Sequence, residues 1–201
     1  MTNNEFNVHS MEYSVSQKTT LHTDYMNHDR PSCRTSEKVA ISSDLYRKAL
    51  AAFASSVIVA STTDRHGEAQ GFTATAFSAV SLAPPIVQFC LTNSATCYDA
   101  FASADSYAIS VLGPDQESMA QRFATRGADK FANGAGLVKR GGLWVVKGAQ
   151  AVLICRSYGK LVCGDHTIFL GEVIDAEAME APDLMIYFRK KYLSKRTSDF
   201  S

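Results

Sequence analysis

Residues 71 to 91 read GFTATAFSAVSLAPPIVQFCL, and this stretch decides the fold. Gly71 to Leu82 is a strand pattern built from small and hydroxylated residues. Pro84-Pro85 breaks it, and Ile86 to Leu91 resumes as a second strand. Upstream, Ser56 to Thr63 (SVIVASTT) is a β-branched run, followed by a turn at Asp64-Arg65-His66-Gly67. Before it, Ser43 or Asp44 caps a helix whose Tyr46, Ala49, Leu50 and Phe53 repeat at helical spacing. Downstream, Thr92 to Thr96 is a polar loop, Cys97 to Ala104 a short helix and Tyr107 to Leu112 a strand. Pro114 opens a helix running to about Phe123, with Asp115 and Glu117 at its positive end. Residues 126 to 142 are glycine-rich and read as irregular, and Trp144 to Val146 as a short strand. Ala149 to Cys163 and His166 to Ala176 are long strands joined by a tight turn at Gly164-Asp165. Leu184 to Phe188 is a last strand, and RKKYLSKRTSDF reads as a basic tail. Six or seven strands with three short helices and no regular βαβ alternation predict a mainly β fold, a β-barrel decorated by helices.

The chain has 201 residues, 46% hydrophobic and 20% charged, which suits a globular domain. Residues 1 to 42 hold three of the five His and no periodic apolar pattern, so they are expected to be a polar, disordered tail. The barrel domain is expected at 43 to 193, with a C-terminal tail at 194 to 201. Lys plus Arg and Asp plus Glu are both 20, which argues against a nucleic-acid or polybasic membrane surface. No apolar run is long enough to span a bilayer, and the N-terminus lacks the pattern of a signal peptide. Five cysteines without a C-x-x-C pair suggest reduced thiols and a cytoplasmic protein.

Nucleotide-binding glycine fingerprints, a phosphate loop, a zinc-binding H-E-x-x-H and a nucleophile elbow are all absent from the sequence, and no metal site is expected. Two segments stand out chemically. In the first, Thr73, Thr75, Ser78 and Ser81 line a strand short of large side chains, so a ligand can approach its backbone. Alternation puts Thr73 and Thr75 on one face. The loop Asn93 to Thr96 adds an anion-friendly helix start. The second is Gly164-Asp165-His166-Thr167, where an Asp beside a His at a turn can orient an imidazole. On composition and spacing alone, a solvated strand face and an ordinary hairpin are the better readings of these residues.

Taken in order, SVIVASTTD (56 to 64), GFTATAFSAVSLAPPIVQFCL, SAT (94 to 96), YAISVLGPDQESMAQRFA (107 to 124), DKF (129 to 131), CGDHTIFLGEV (163 to 173) and IYFRKKY (186 to 192) resemble the short-chain flavin reductases. These are the reductase components of two-component flavin monooxygenases, with an FMN-binding split barrel. By that resemblance Thr62, Thr63 and Asp64 lie along the flavin. Thr73, Ala74 and Thr75 match the T-A-S stretch beside the ring and ribityl chain, and Ser78 and Ser81 the S-x-x-S positions after it. Ser94 and Thr96 match the phosphate loop. Gly164, Asp165 and His166 match the G-D-H signature of the nicotinamide site, with Tyr192 nearby. Arg122 and Phe123 match an R-F pair that serves either packing or the cofactor. Departures are Ala76, where many relatives carry a second Ser, and Ser56-Val57 in place of Gly-Val.

The resemblance implies hydride transfer from NADH or NADPH to FMN or FAD, with release of reduced flavin to a partner oxygenase. His166 would orient the nicotinamide side. The absence of an Arg-rich loop for a 2′-phosphate favours NADH. A homodimer is implied. Alternatives are a flavoprotein oxidase or oxygenase that keeps its FMN, and a non-enzymatic flavin-binding module.

Overall fold

The computed structural model describes residues 41–180 and 182–195. The expected N-terminal tail, apart from Ile41 and Ser42, lies outside these residues, as do Cys33 and 196–201. The elements are α1 (Ser43–Leu50), β1 (Ser55–Ser56), β2 (Ile58–Thr63), β3 (Ala69–Ala74), β4 (Phe77–Leu82), β5 (Pro85–Thr92), α2 (Tyr98–Ser103), β6 (Ser106–Val111), α3 (Glu117–Ala124), β7 (Leu137–Arg140), β8 (Leu143–Val146), β9 (Ala151–Cys163), β10 (His166–Ala178), β11 (Leu184–Phe188) and β12 (Lys191–Lys195).

Seven strands form one antiparallel sheet in the order β3-β2-β6-β9-β10-β5-β4. Its two edge strands are consecutive in sequence. The stretch read as one strand from Gly71 to Leu82 is thus two, interrupted at Thr75-Ala76. The first half pairs with β2 and the second with β5. At the crossing, the Cys90 N–H donates to the Ala76 carbonyl at 3.1 Å. One segment therefore joins both ends of the sheet, and the sheet closes into a barrel. Closure removes the exposed edges that an open sheet would leave.

Both faces of the central strands are buried, which explains the near-continuous apolar runs in β2 and β6. Alternation sorts them. Ile58, Ala60, Phe72, Phe89, Tyr107, Ile109, Cys155 and Phe169 fill the barrel. Phe101 of α2 joins them, packing edge-on against Phe72 at 5.1 Å between ring centroids. Each buried Ile or Phe among them contributes roughly 1.5–3 kcal/mol by burial. Val57, Val59, Ala108, Val152 and Ile154 face outward into a second cluster, with Leu112 just after β6, Ala120 and Phe123 of α3, Leu143 and Val145 of β8, and Met185 of β11. Polar outward positions are matched as well. Ser110 Oγ accepts the Val146 N–H at 3.0 Å, and Ser61 Oγ donates to the Trp144 carbonyl.

Two segments correct the sequence reading. Residues 126 to 142 are not wholly irregular, because β7 pairs with β8 across Gly141-Gly142, both at positive φ. The alternation here is too short to register, while the glycine pair is what the two-residue turn requires. The basic end is not all tail either. Lys191–Lys195 forms β12 against β11, with Tyr187 packed on Tyr192 at 5.3 Å. Its strand pattern is masked by the lysines.

Candidate active site

Among the described residues, the outer side of β4 and β5 has no layer over it like the one α3 and β8 make on β2 and β6. Here the partner switch at Thr75-Ala76 opens a groove of about 600 Å³, lined by Thr75, Ala76, Phe77, Ser78, Gln88 and Cys90 with Tyr187 and part of α1. A break between two strands exposes backbone and small side chains together, so a flat ligand can come close. Gln88 Nε2 donates to Ser78 Oγ at 3.0 Å. Gln88, Cys90 and Thr92 are alternate residues of β5 and share the outward face. The register sets Thr92 opposite His166, and Cys90 opposite Ile168. His166 therefore sits one outward position, roughly 7 Å along β5, beyond the groove residue Cys90, with the Gly164-Asp165 turn just past it.

A hydrogen-bond network ties this turn to the 92–94 loop. The Asn93 N–H donates to the Asp165 carbonyl at 2.9 Å, and Asn93 Nδ2 to the Gly164 carbonyl at 3.2 Å. Thr167 Oγ1 donates to Asn93 Oδ1 at 2.8 Å and meets the Tyr98 hydroxyl at 3.0 Å. Ser94 Oγ lies 3.3 Å from Thr92 Oγ1. Asp165 Oδ1 and His166 Nδ1 are 2.7 Å apart. The bond to His166 holds the Asp165 carboxyl below its usual range. An ionised carboxylate only accepts, so Nδ1 is the donor in this pair.

The remaining expected residues fall elsewhere. Ala74 is buried in the barrel core. Thr73 and Thr75 do not share a face, because the chain changes partner between them. Thr73 Oγ1 donates to the Ala120 carbonyl of α3 at 2.6 Å, whereas Thr75 lines the groove. Thr62 is buried, with its hydroxyl on the Ser106 carbonyl at 2.8 Å. Thr63 is the last residue of β2. Asp64 organises the following turn, and the Glu68 and His66 N–H groups keep its carboxyl below the usual range. Asp64 and Thr96 meet in a separate cleft of about 450 Å³ with Gln70 and Asp99. Ser81 sits at a register shift in β4. Tyr192 reaches the groove only through Tyr187. Arg122 is a clamp for the loop after α3, donating to the carbonyls of Asp129, Ala132 and Ala135, and Phe123 is core. The structure thus brings Thr75 with Ser78, and Ser94 with Gly164, Asp165 and His166.

Gln88, Cys90, Tyr187 and Lys190 were given no role from sequence, and Asn93 and Thr167 were named there only as members of their loop and turn. Alternation along β5 could have marked Gln88 and Cys90. Nothing local marks Tyr187 or Lys190, which reach the groove through the β11–β12 hairpin.

A closed antiparallel barrel of this topology, with a groove at the strand interruption, is a split barrel. Hydroxyls, exposed backbone, the aromatic rings of Phe77 and Tyr187 and a volume of about 600 Å³ fit a planar tricyclic ring with a polyol chain. Residues 50–196 match the flavin reductase-like domain, and the chain belongs to that family. The actinorhodin polyketide dimerase of Streptomyces coelicolor is 35% identical over 154 residues, covering 77% of this chain and 87% of that protein. The reductase component of 4-hydroxyphenylacetate 3-monooxygenase from Thermus thermophilus is 35% identical over 150 residues, covering 74% and 94%. The structure of the Streptomyces globisporus NADH:FAD oxidoreductase, in complex with NAD and FAD fragments, superposes with a TM-score of 0.69 at 33% identity, covering 74% of this chain and 89% of that one.

Proposed function

We propose that this protein is an NADH-dependent flavin reductase that reduces FMN or FAD and releases the reduced flavin to a partner monooxygenase. The observation that carries the reading is the adjacency of two features along β5, the groove at Thr75-Ala76 and the turn bearing His166. The hydride leaves the nicotinamide C4 for the flavin N5, chemistry that belongs to the two cofactors. The protein binds and aligns. Thr75 and Ser78 hold the flavin ring and its chain, with Ala76 leaving room above the backbone. Ser94 lies on the turn side of the site, beside Thr92 and the Asp165 carbonyl. His166, held through its Nδ1–H by Asp165, offers Nε2 to the nicotinamide carboxamide and orients that ring for transfer. No proton transfer by His166 is needed.

A homodimer in the cytoplasm is part of the reading. Val80, Leu82, Leu161 and Val162 on β4 and β9 are 52%, 93%, 59% and 65% exposed, an apolar load that a second subunit would cover. Among the described residues no helix is long and apolar enough to cross a membrane.

The test is NADH oxidation at 340 nm with catalytic amounts of free FMN or FAD. Rapid loss that scales with added flavin is expected, with His166→Ala raising the KM for NADH and Thr75→Ala the KM for flavin. No turnover with either flavin would overturn the reading, and unchanged kinetics in both variants would overturn the residue assignment.

A further inference from the structure

The β11–β12 hairpin turns on two residues, Arg189 and Lys190, between the paired Phe188 and Lys191. Both have positive φ, 48° and 64°. Such a turn favours Asn-Gly because a Cβ is strained in the left-handed region. Two long basic residues there are the costly choice, and strain of this kind is retained where the side chain has a task. Arg189 lies over the Phe188 ring at 5.3 Å. Lys190 lines the groove, as does Arg47 of α1. No acidic residue lines that groove. Lys190 has no carboxylate partner among the described residues, and Arg47 pairs only with Asp44 at the surface.

We propose that Lys190 and Arg47 form an anion subsite that takes the phosphate group of a nucleotide bound in the groove. The inference rests on the groove being the nucleotide site. A lysine supplies a point charge and an arginine a two-pronged donor, and both suit phosphate oxygens. The phosphate belongs either to the flavin nucleotide or to the nicotinamide dinucleotide, and two ligand pairs separate these sources. One pair is FMN and riboflavin, compared by quenching of flavin fluorescence on binding. The other is NADH and reduced nicotinamide riboside, compared by KM.

In one pair the native protein is expected to prefer the phosphorylated ligand by about tenfold or more, the scale of one charge-assisted hydrogen bond. Lys190→Gly should lose most of that preference. It should also raise Tm by about 2–4 °C, because glycine relieves the turn. Lys190→Arg should keep the preference, and Arg47→Gln should reduce it without raising Tm. If Lys190→Gly and Arg47→Gln leave both ratios as in the native protein, the subsite is wrong even where flavin reduction is intact. If the native protein binds no flavin, the groove assignment fails and the subsite fails with it.

Discussion

Thr167→Val separates the network that holds the His166 turn from the groove itself. Thr167 is fully buried. Its only proton goes to Asn93 Oδ1 at 2.8 Å, so the Tyr98 hydroxyl at 3.0 Å must be the donor to Thr167 Oγ1. The chain of bonds then runs Tyr98 to Thr167 to Asn93 to the Gly164 carbonyl. Valine keeps the shape and removes both bonds at Thr167. Each is worth about 0.5–1.5 kcal/mol net, so the sum is about 1–3 kcal/mol. Asn93 is exposed and regains water, which keeps the expected loss near 2 kcal/mol rather than higher. For a domain of this size that lowers Tm by about 4–8 °C. Because Asn93 also anchors the Gly164-Asp165 backbone, the KM for NADH should rise several-fold while the KM for flavin changes less. Thr167→Ser, which retains the hydroxyl, should restore the KM. Urea unfolding with steady-state kinetics measures both effects. A Thr167→Val protein within about 0.5 kcal/mol of native stability, with unchanged KM for NADH, would refute the account of the network.

Three further outcomes follow from packing and burial. Gly171→Ala places a Cβ 2.7 Å from Tyr107 Cε2 and 2.8 Å from Cys155 Cβ, so overpacking should cost about 1–3 kcal/mol; urea midpoints equal to native would contradict that crowding. Arg122→Met removes the donors to three loop carbonyls. Trypsin should then cut faster after Arg126 and Lys130, and an unchanged digestion rate would show that the loop is held otherwise. Burial pushes the Cys155 thiol up to about 12 and raises Tyr107 as well. A raised pKa favours the neutral form, so this stabilisation is complete below about pH 9, the ordinary thiol value, and is lost as pH climbs toward about 12. Unfolding free energy should fall across that window, and by less in Cys155→Ala; identical profiles for the two proteins would count against it.

Much of the architecture could be read locally. The β9–β10 hairpin is legible because two long apolar-rich runs flank Gly164-Asp165, and glycine alone takes the positive φ of 63° there without strain. The helix starting near Pro114 is legible from its proline and its acidic first turn. Those signals lie within a few residues of each other, where chain geometry acts directly. The partner switch at Thr75-Ala76 is different. GFTATAFSAVSL is strand-forming throughout, and only the closing of the sheet decides that one half pairs with β2 and the other with β5.

The same division holds for the site. Composition alone marked the small, hydroxylated stretch and the Asp165-His166 turn, because a missing large side chain or an adjacent acid and imidazole is visible in one line of sequence. It could not separate Thr73 from Thr75, since their different surroundings come from α3 on one side and an open groove on the other. Nor could it show that Asn93 and Gly164, 71 positions apart, share a hydrogen bond. The sequence by itself determined the strands, the turns and the residues with chemistry to offer. Barrel closure decided which of them meet, because long-range pairing depends on burying every strand at once and leaves no trace in any single segment.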